Sequence, residues 1–207
     1  MKEHPFDNGE LIVREEQLAE TPRQEESVRG HIMEYYAMVS HLDAQVGRIM
    51  DALEASGEME NTIFIFAGDN GLSVGQHGLM GKQNVYQHSV NIPMIMKGPG
   101  IPAGEERKSF CYTIDIFPTV CEMSELEAPA DIDGISLLPA IHDDASIRDI
   151  LHFQYKKYQL AVRKDDYKLI RYEVKGENHT QLFDLANDPY ETNNLTDSQP
   201  ELVRELS

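Results

Sequence analysis

Apolar residues along residues 31–56 recur mainly at steps of three and four. This spacing predicts an amphipathic helix, and Gly57 is placed to end it. Upstream, Thr21 and Pro22 fit an N-cap followed by a first-turn proline. Residues 1–23 are otherwise polar and mixed, which predicts a loop or an extended lead-in.

The pattern then changes to a short continuous apolar run, residues 62–67 (TIFIFA). Such a run predicts a strand covered on both faces, the usual state in a parallel or mixed sheet. A second strand is predicted over residues 92–96, and the sequence GPG at residues 98–100 stops it. A helix, a strand, a loop and a strand in this order indicate an α/β unit with a loop between the two strands.

From about residue 148 the apolar positions occur in short alternating runs separated by turn residues. The runs cover residues 150–153, 158–162, 167–172 and 181–185. They predict an antiparallel meander, followed by a last helix near residues 200–207. The predicted fold is therefore α/β over residues 1–145, with a small antiparallel subdomain and a C-terminal helix over residues 146–207.

The first predicted strand ends in Asp69 and Asn70, between two glycines. These residues are ordinary turn formers that bond their own backbone. They are also oxygen donors at the carboxyl end of a strand, where α/β sheets bind ligands, and such donors suit a hard cation. The glycine-rich loop that follows carries His77 and Lys82, and the ammonium group suits an anionic substrate.

Several segments resemble the C-terminal half of the formylglycine-dependent sulfatases, members of the alkaline phosphatase superfamily. They are residues 35–43, 68–71 (GDNG), 75–82 (GQHGLMGK), 92–100 (IPMIMKGPG), 113–121, 133–139 and 182–195. The resemblance implies a partial sulfatase-like sheet, and it implies hydrolysis of sulfate esters, with carbohydrates as the expected substrates. It also implies a periplasmic, secreted or lysosomal location.

The same resemblance assigns roles to individual residues. Asp69 and Asn70 match the positions that ligate calcium in the family, and Lys82 matches the lysine that contacts the sulfate group. His77 matches a position that is histidine in some members only, and it is a candidate for contacts to the leaving group or the sugar.

The family's nucleophile motif, a Cys or Ser converted to formylglycine, has no match in these 207 residues. Neither Cys111 nor Cys121 is followed by the required sequence, and the paired aspartates that complete the family's metal site are also absent. We therefore expect a fragment or one piece of a split gene, inactive alone, with weak calcium binding. We also expect self-association or an N-terminal partner chain.

Composition restricts the partners. The formal charge is −18, from 36 acidic and 18 basic residues. This charge argues against nucleic acid or an anionic membrane as a partner. No run approaches the length of a spanning helix, and the N-terminus does not resemble a signal peptide. Because the chain is acidic overall, an anionic substrate must be received by local positive charge, which Lys82 and a metal ion would provide.

Two other functions fit the same sequence. One is a phosphonate or phosphate monoester hydrolase, because these enzymes of the same superfamily share the loop pattern. The other is a non-catalytic fragment that retains the fold and docks to a partner chain.

Overall fold

The computed structural model describes residues 3–207, which form five α-helices and eight β-strands. The helices are α1 (Glu25–Ser56), α2 (Gln87–Val90), α3 (Ile116–Met123), α4 (Leu138–Asp143) and α5 (Pro200–Leu206). The strands are β1 (Phe64–Ala67), β2 (Ser73–Val74), β3 (Met80–Gly81), β4 (Met94–Lys97), β5 (Ile150–Tyr155), β6 (Gln159–Lys164), β7 (Tyr167–Val174) and β8 (Glu177–Asp184). This mixed α/β arrangement confirms the predicted fold class.

The first predicted strand forms as β1, but its surroundings differ from the expectation. Among residues 3–207, β4 is the one strand that pairs with β1, and the pairing is antiparallel, from Phe64 opposite Lys97 to Ala67 opposite Met94. All four β1 residues are only half-buried. A strand becomes fully covered only when neighbours lie on both sides and both faces, and β1 has one neighbour here.

The predicted meander is confirmed. Strands β5 to β8 form one antiparallel sheet in chain order. One face of this sheet packs on the segment that follows β3, and the two share the main hydrophobic core. The buried core residues are Leu79, Val85, Tyr86, Ala161, Ile170, Tyr172, Phe183 and Leu185. Because this core joins residues on both sides of position 145, the division at that position stays a prediction.

Helix α1 ends at Gly57, as the sequence predicts. Gly57 is in the left-handed region, with φ of 76°, and its N–H donates to the Glu54 carbonyl at 3.0 Å. Glycine adopts this conformation without the strain that a Cβ would cause. The predicted start is wrong, since α1 begins at Glu25 and Thr21 lies outside it.

Helix α1 exposes much of its apolar stripe. The most exposed large apolar side chains on it are Met33, Tyr36, Met38 and Ile49, each more than half accessible to solvent. Within residues 3–207, no helix combines the length and the apolarity needed to cross a membrane.

Residues before α1 pack tightly against the rest of the chain. They include a 3₁₀ helix, Glu15–Leu18. Asn8 is buried and its carbonyl accepts from the Gln159 side chain at 3.0 Å. Glu10 pairs with Lys156 at 2.6 Å. The lead-in is mostly irregular, as the sequence predicts, and these contacts attach it to the meander.

Helix α2 lies directly behind the turn that follows β1. The Gly71 N–H donates to the Ser89 carbonyl at 2.8 Å. A Cβ on Gly71 would lie 2.0 Å from the His88 carbonyl oxygen, so any side chain there would force the two backbones apart. The glycine at position 71 thus allows the turn to contact α2, and the position of α2 fixes that of the turn.

Candidate functional site

The turn after β1 is shaped by its own side chains. Asp69 is exposed, and its Oδ1 accepts from the Asn70 N–H at 2.8 Å. The Asn70 Nδ2 donates to the Gly71 carbonyl at 2.9 Å. Both are local hydrogen bonds between a side chain and the backbone, as Asp and Asn commonly form in turns. They also hold the carboxylate at the strand end in contact with solvent.

The structure brings Lys82 to this turn. The Lys82 Nζ donates to Asn70 Oδ1 at 2.9 Å, at the solvent-exposed surface. The backbone N–H of Lys82 donates to the Gln83 side chain at 3.0 Å. Three of the four residues singled out from the sequence, Asp69, Asn70 and Lys82, therefore lie together.

The loop between Asn70 and Lys82 folds as a short hairpin. Strands β2 and β3 pair, with Ser73 opposite Gly81 and Val74 opposite Met80. Ser73 and Leu79 are fully buried, and the Ser73 hydroxyl donates to the Leu79 carbonyl at 2.9 Å. Glycine-rich sequence predicted a loop here, but these buried contacts give the segment a defined path to Lys82.

A buried ion pair from the lead-in supports the hairpin. The Arg23 guanidinium and the Glu16 carboxylate are paired, with side chains 3% and 7% exposed. Glu16 Oε2 accepts from the Met80 N–H at 2.9 Å, and Arg23 Nε donates to the Gly78 carbonyl at 3.0 Å. Burial raises the pKa of Glu16, while the Met80 N–H and Arg23 oppose this shift. The pair anchors both the turn and the second strand of the hairpin.

His77 points into a cluster of rings. Its ring stacks on Tyr86 at a centroid distance of 3.9 Å, and His88 lies 5.7 Å away. Its other partner is the Tyr190 backbone. Burial lowers the pKa of His77 to about 4, so the ring is neutral near pH 7. His77 thus contacts this ring cluster and the Tyr190 backbone, whereas Lys82 contacts Asn70.

A second buried ion pair lies on the meander side. Lys168 Nζ and Glu191 Oε1 are 2.8 Å apart, with side chains 0% and 1% exposed. Burial lowers the pKa of Lys168 to about 8 and raises that of Glu191, and each charge opposes the shift of the other. The sequence reasoning missed this pair. The signal for Lys168 is its register, because it falls in phase with the buried residues Ile170 and Tyr172 of β7.

The turn offers oxygen donors of the kind that bind a hard cation. Calcium takes six to eight oxygens, and Asp69 and Asn70 supply a carboxylate and an amide oxygen. In the part of the chain that the structure describes, no group of three or more His, Cys, Asp or Glu side chains is arranged to hold a metal ion. The turn therefore supplies two of the oxygen donors that a hard cation would need, and the ammonium of Lys82 already lies against one of them.

Comparison with known protein families identifies the family of this chain. The model described as "Sulfatase" matches residues 4–125, and the model described as "N-sulphoglucosamine sulphohydrolase, C-terminal" matches residues 75–206. The chain belongs to the sulfatase family of the alkaline phosphatase superfamily. This confirms the resemblance seen in the sequence motifs.

Individual proteins that this chain resembles agree with this family assignment. The chain is 29% identical over 178 residues to an N-acetylglucosamine-6-O-sulfatase of Bacteroides thetaiotaomicron, covering 80% of this chain and 32% of the relative. It resembles a protein solved in complex with its substrate D-glucosamine-2-N,6-O-disulfate, with a TM-score of 0.80 and 26% identity, covering 90% of this chain and 41% of that one. It also resembles the phosphonate monoester hydrolase of Agrobacterium radiobacter, with a TM-score of 0.76 and 25% identity, covering 88% and 40%.

The chain spans about a third of the length of the curated relatives that it matches. The region matched by the Sulfatase family model, residues 4–125, includes the turn, the hairpin and Lys82.

The buried histidines predict a pH-dependent stability. Burial lowers the pKa of His88 to about 3 and that of His77 to about 4, below the usual 6.5. Between those values and 6.5 the unfolded chain binds more protons than the folded chain, so stability falls as the pH falls. Chemical unfolding at pH 7 and at pH 4.5 should show a loss of roughly 1 kcal/mol per pH unit for each buried histidine.

Replacing His88 tests its share of this loss. The His88→Gln variant should flatten the dependence on pH, whereas His41→Gln, on the exposed face of α1, should leave it unchanged. An unaltered dependence in His88→Gln would show that His88 does not titrate on unfolding.

Proposed function

We propose that this chain forms the C-terminal part of an active site that hydrolyses sulfate esters of carbohydrates. The observation that carries the proposal is the 2.9 Å hydrogen bond from Lys82 to Asn70, which holds an ammonium group beside the oxygen donors of the turn. Further support comes from the relatives, one an N-acetylglucosamine-6-O-sulfatase and another solved with a glucosamine disulfate.

Lys82 would receive the sulfate group. Its ammonium is solvent-exposed at the end of a well-supported hairpin, so an anion can approach it without displacing core residues. The formal charge of the chain is −18, so this local positive charge must overcome a repulsive overall field. A flexible stem with three donors suits the oxygens of a sulfate ester.

Asp69 and Asn70 would hold part of a calcium shell. When bound, calcium would polarise the sulfate oxygens and stabilise the charge that develops during transfer. Ligation through Asn70 Oδ1 competes with the hydrogen bond from Lys82, so cation binding would free the ammonium for the substrate. The remaining ligands would come from water or from residues outside this chain.

His77 remains a candidate contact for the leaving group or the sugar. Because its ring is neutral near pH 7, it would contribute a hydrogen bond and not a positive charge. Its stacking on Tyr86 would set the direction of that bond.

The likeness to a phosphonate monoester hydrolase keeps a second function open. A phosphonate or phosphate monoester offers anionic oxygens similar to those of a sulfate ester. The same turn and lysine would therefore bind either group. A third possibility is a non-catalytic chain that docks to a partner.

We expect weak calcium binding, because two side-chain donors leave most of the shell to water. Calorimetric titration of the wild type should give a dissociation constant of about 10⁻⁴ M or weaker. Asp69→Ala should abolish the signal, and Asp51→Ala, an exposed acid on α1, should not change it. Tight binding that depends on Asp69 would mean that the chain itself completes the site.

We also expect that these 207 residues alone do not hydrolyse sulfate esters, because they carry no formylglycine motif to supply the covalent step. Loss of one member of a cooperative catalytic set typically costs several orders of magnitude in rate. An aryl sulfate and an aryl phosphonate monoester should both remain intact in the presence of calcium. Turnover above a denatured control, lost in Lys82→Met, would overturn this expectation, and the preferred ester would identify the class of hydrolase.

The exposed apolar surface of α1 and the half-covered strand β1 favour association with another chain. We therefore propose self-association, or an N-terminal partner chain that covers this surface. Sedimentation velocity should show a concentration-dependent increase in mass, which Met38→Lys on α1 should reduce. A compact monomer over a hundredfold range of concentration would contradict self-association.

A further inference from the structure

The turn that carries Asp69 and Asn70 is held from behind by α2, and α2 is held by a buried carboxylate. The first N–H of α2, that of Gln87, donates to Glu191 Oε2 at 2.6 Å. Two residues further on, the Ser89 carbonyl accepts from the Gly71 N–H. A continuous series of short contacts therefore links Glu191 to the turn.

The second oxygen of Glu191 pairs with Lys168. The Lys168 Nζ also donates to Gln87 Oε1 at 3.2 Å. The carboxylate therefore contacts the backbone N–H of Gln87, and the lysine contacts its side chain. Lys168 additionally lies 5.7 Å from the centre of the Phe153 ring. The ion pair connects β7, the segment after β8 and α2.

Energy alone does not explain a pair buried this deeply. Removing both charges from water costs several kcal/mol per ion, and replacing a buried pair by apolar residues is often neutral or stabilising. What an apolar pair cannot supply is an acceptor for the Gln87 N–H. The carboxylate gives α2 a directional bond at one defined place.

We propose that Glu191 is a positioning residue for the turn formed by Asp69, Asn70 and Gly71. It acts through the Gln87 N–H and the backbone of α2, and Lys168 serves as its counter-charge. The inference rests on the proposed function, because the turn is the part that would bind the cation. The tight packing of Gly71 on His88 means that a shift of α2 is transmitted to the turn.

Two double variants separate the effect of the hydrogen bond to the Gln87 N–H from the effect of the two buried charges. Lys168→Met/Glu191→Gln removes both charges but keeps an amide oxygen that can accept from Gln87. Lys168→Met/Glu191→Leu removes both charges and the acceptor. A third variant, Gln87→Pro, removes the N–H donor and the side-chain contact between Gln87 and Lys168, and it retains the ion pair of Lys168 and Glu191. Proline is tolerated at the first position of a helix, and Tyr86 before it is already extended, with ψ of 159°.

The first readout is amide hydrogen exchange of Gly71, measured by NMR without metal. The second is the calcium dissociation constant. The exchange rate should stay near the wild-type value in the Gln variant and rise about tenfold in the Leu and Pro variants, as expected for loss of about one hydrogen bond. Calcium binding should weaken about threefold to tenfold in the same two variants.

A matched control is the exposed pair of Lys164 and Glu205, which lies on the neighbouring strand β6 and on α5 at 2.7 Å. Lys164→Met/Glu205→Leu should leave both readouts unchanged. Because Gln87→Pro retains the buried pair, it tests the proposal even if the Leu variant fails to fold.

Equal Gly71 exchange in the Gln, Leu and Pro variants would overturn the positioning role. Wild-type protein that shows no calcium binding, together with faster Gly71 exchange in the Leu and Pro variants, would overturn the calcium site while supporting the positioning role. The two proposals therefore fail in different experiments.

Discussion

The cost of removing charge from water constrains the buried residues that support the candidate site. A buried carboxylate or ammonium must find both a partner of opposite charge and hydrogen bonds for its remaining atoms. Glu16 meets this requirement with Arg23 and the Met80 N–H, and Glu191 meets it with Lys168 and the Gln87 N–H. In each case the extra bond goes to the backbone next to the turn or the hairpin. The two segments that carry Asn70 and Lys82 are thereby fixed relative to each other.

Much of the fold was predictable because it follows from local periodicity. Alternating apolar positions gave the meander of β5 to β8, and a glycine after a helical stripe gave the end of α1. The family motifs grouped Asp69, Asn70 and Lys82, and the structure places Lys82 against Asn70. The burial of β1 was not predictable in the same way, since it depends on neighbours that the apolar run itself does not specify.

The supporting residues Glu16, Arg23 and Glu191 could not be predicted from the sequence, and the reason is physical. Glutamate, arginine and lysine are usually exposed, so Glu16, Arg23 and Glu191 resemble surface residues until the partner is known. Arg23 lies in an irregular segment, Glu191 is 23 positions from Lys168, and Glu16 is 64 positions from the Met80 N–H. His77 shows the same limit, because its stacking on Tyr86 depends on how the hairpin lies over the core, which spacing alone does not reveal.

The supporting contacts also constrain the order of folding. The hydrogen bond between Gln87 and Glu191 joins residues 104 positions apart, and the bond between Asn8 and Gln159 joins residues 151 positions apart. Contacts this distant in sequence require closure of long loops and form slowly compared with local helices and hairpins. During synthesis from the N-terminus, helix α1 and the strands β1 to β4 are made long before Glu191 leaves the ribosome. The turn at Asp69 therefore acquires its final support only after Glu191 has been translated.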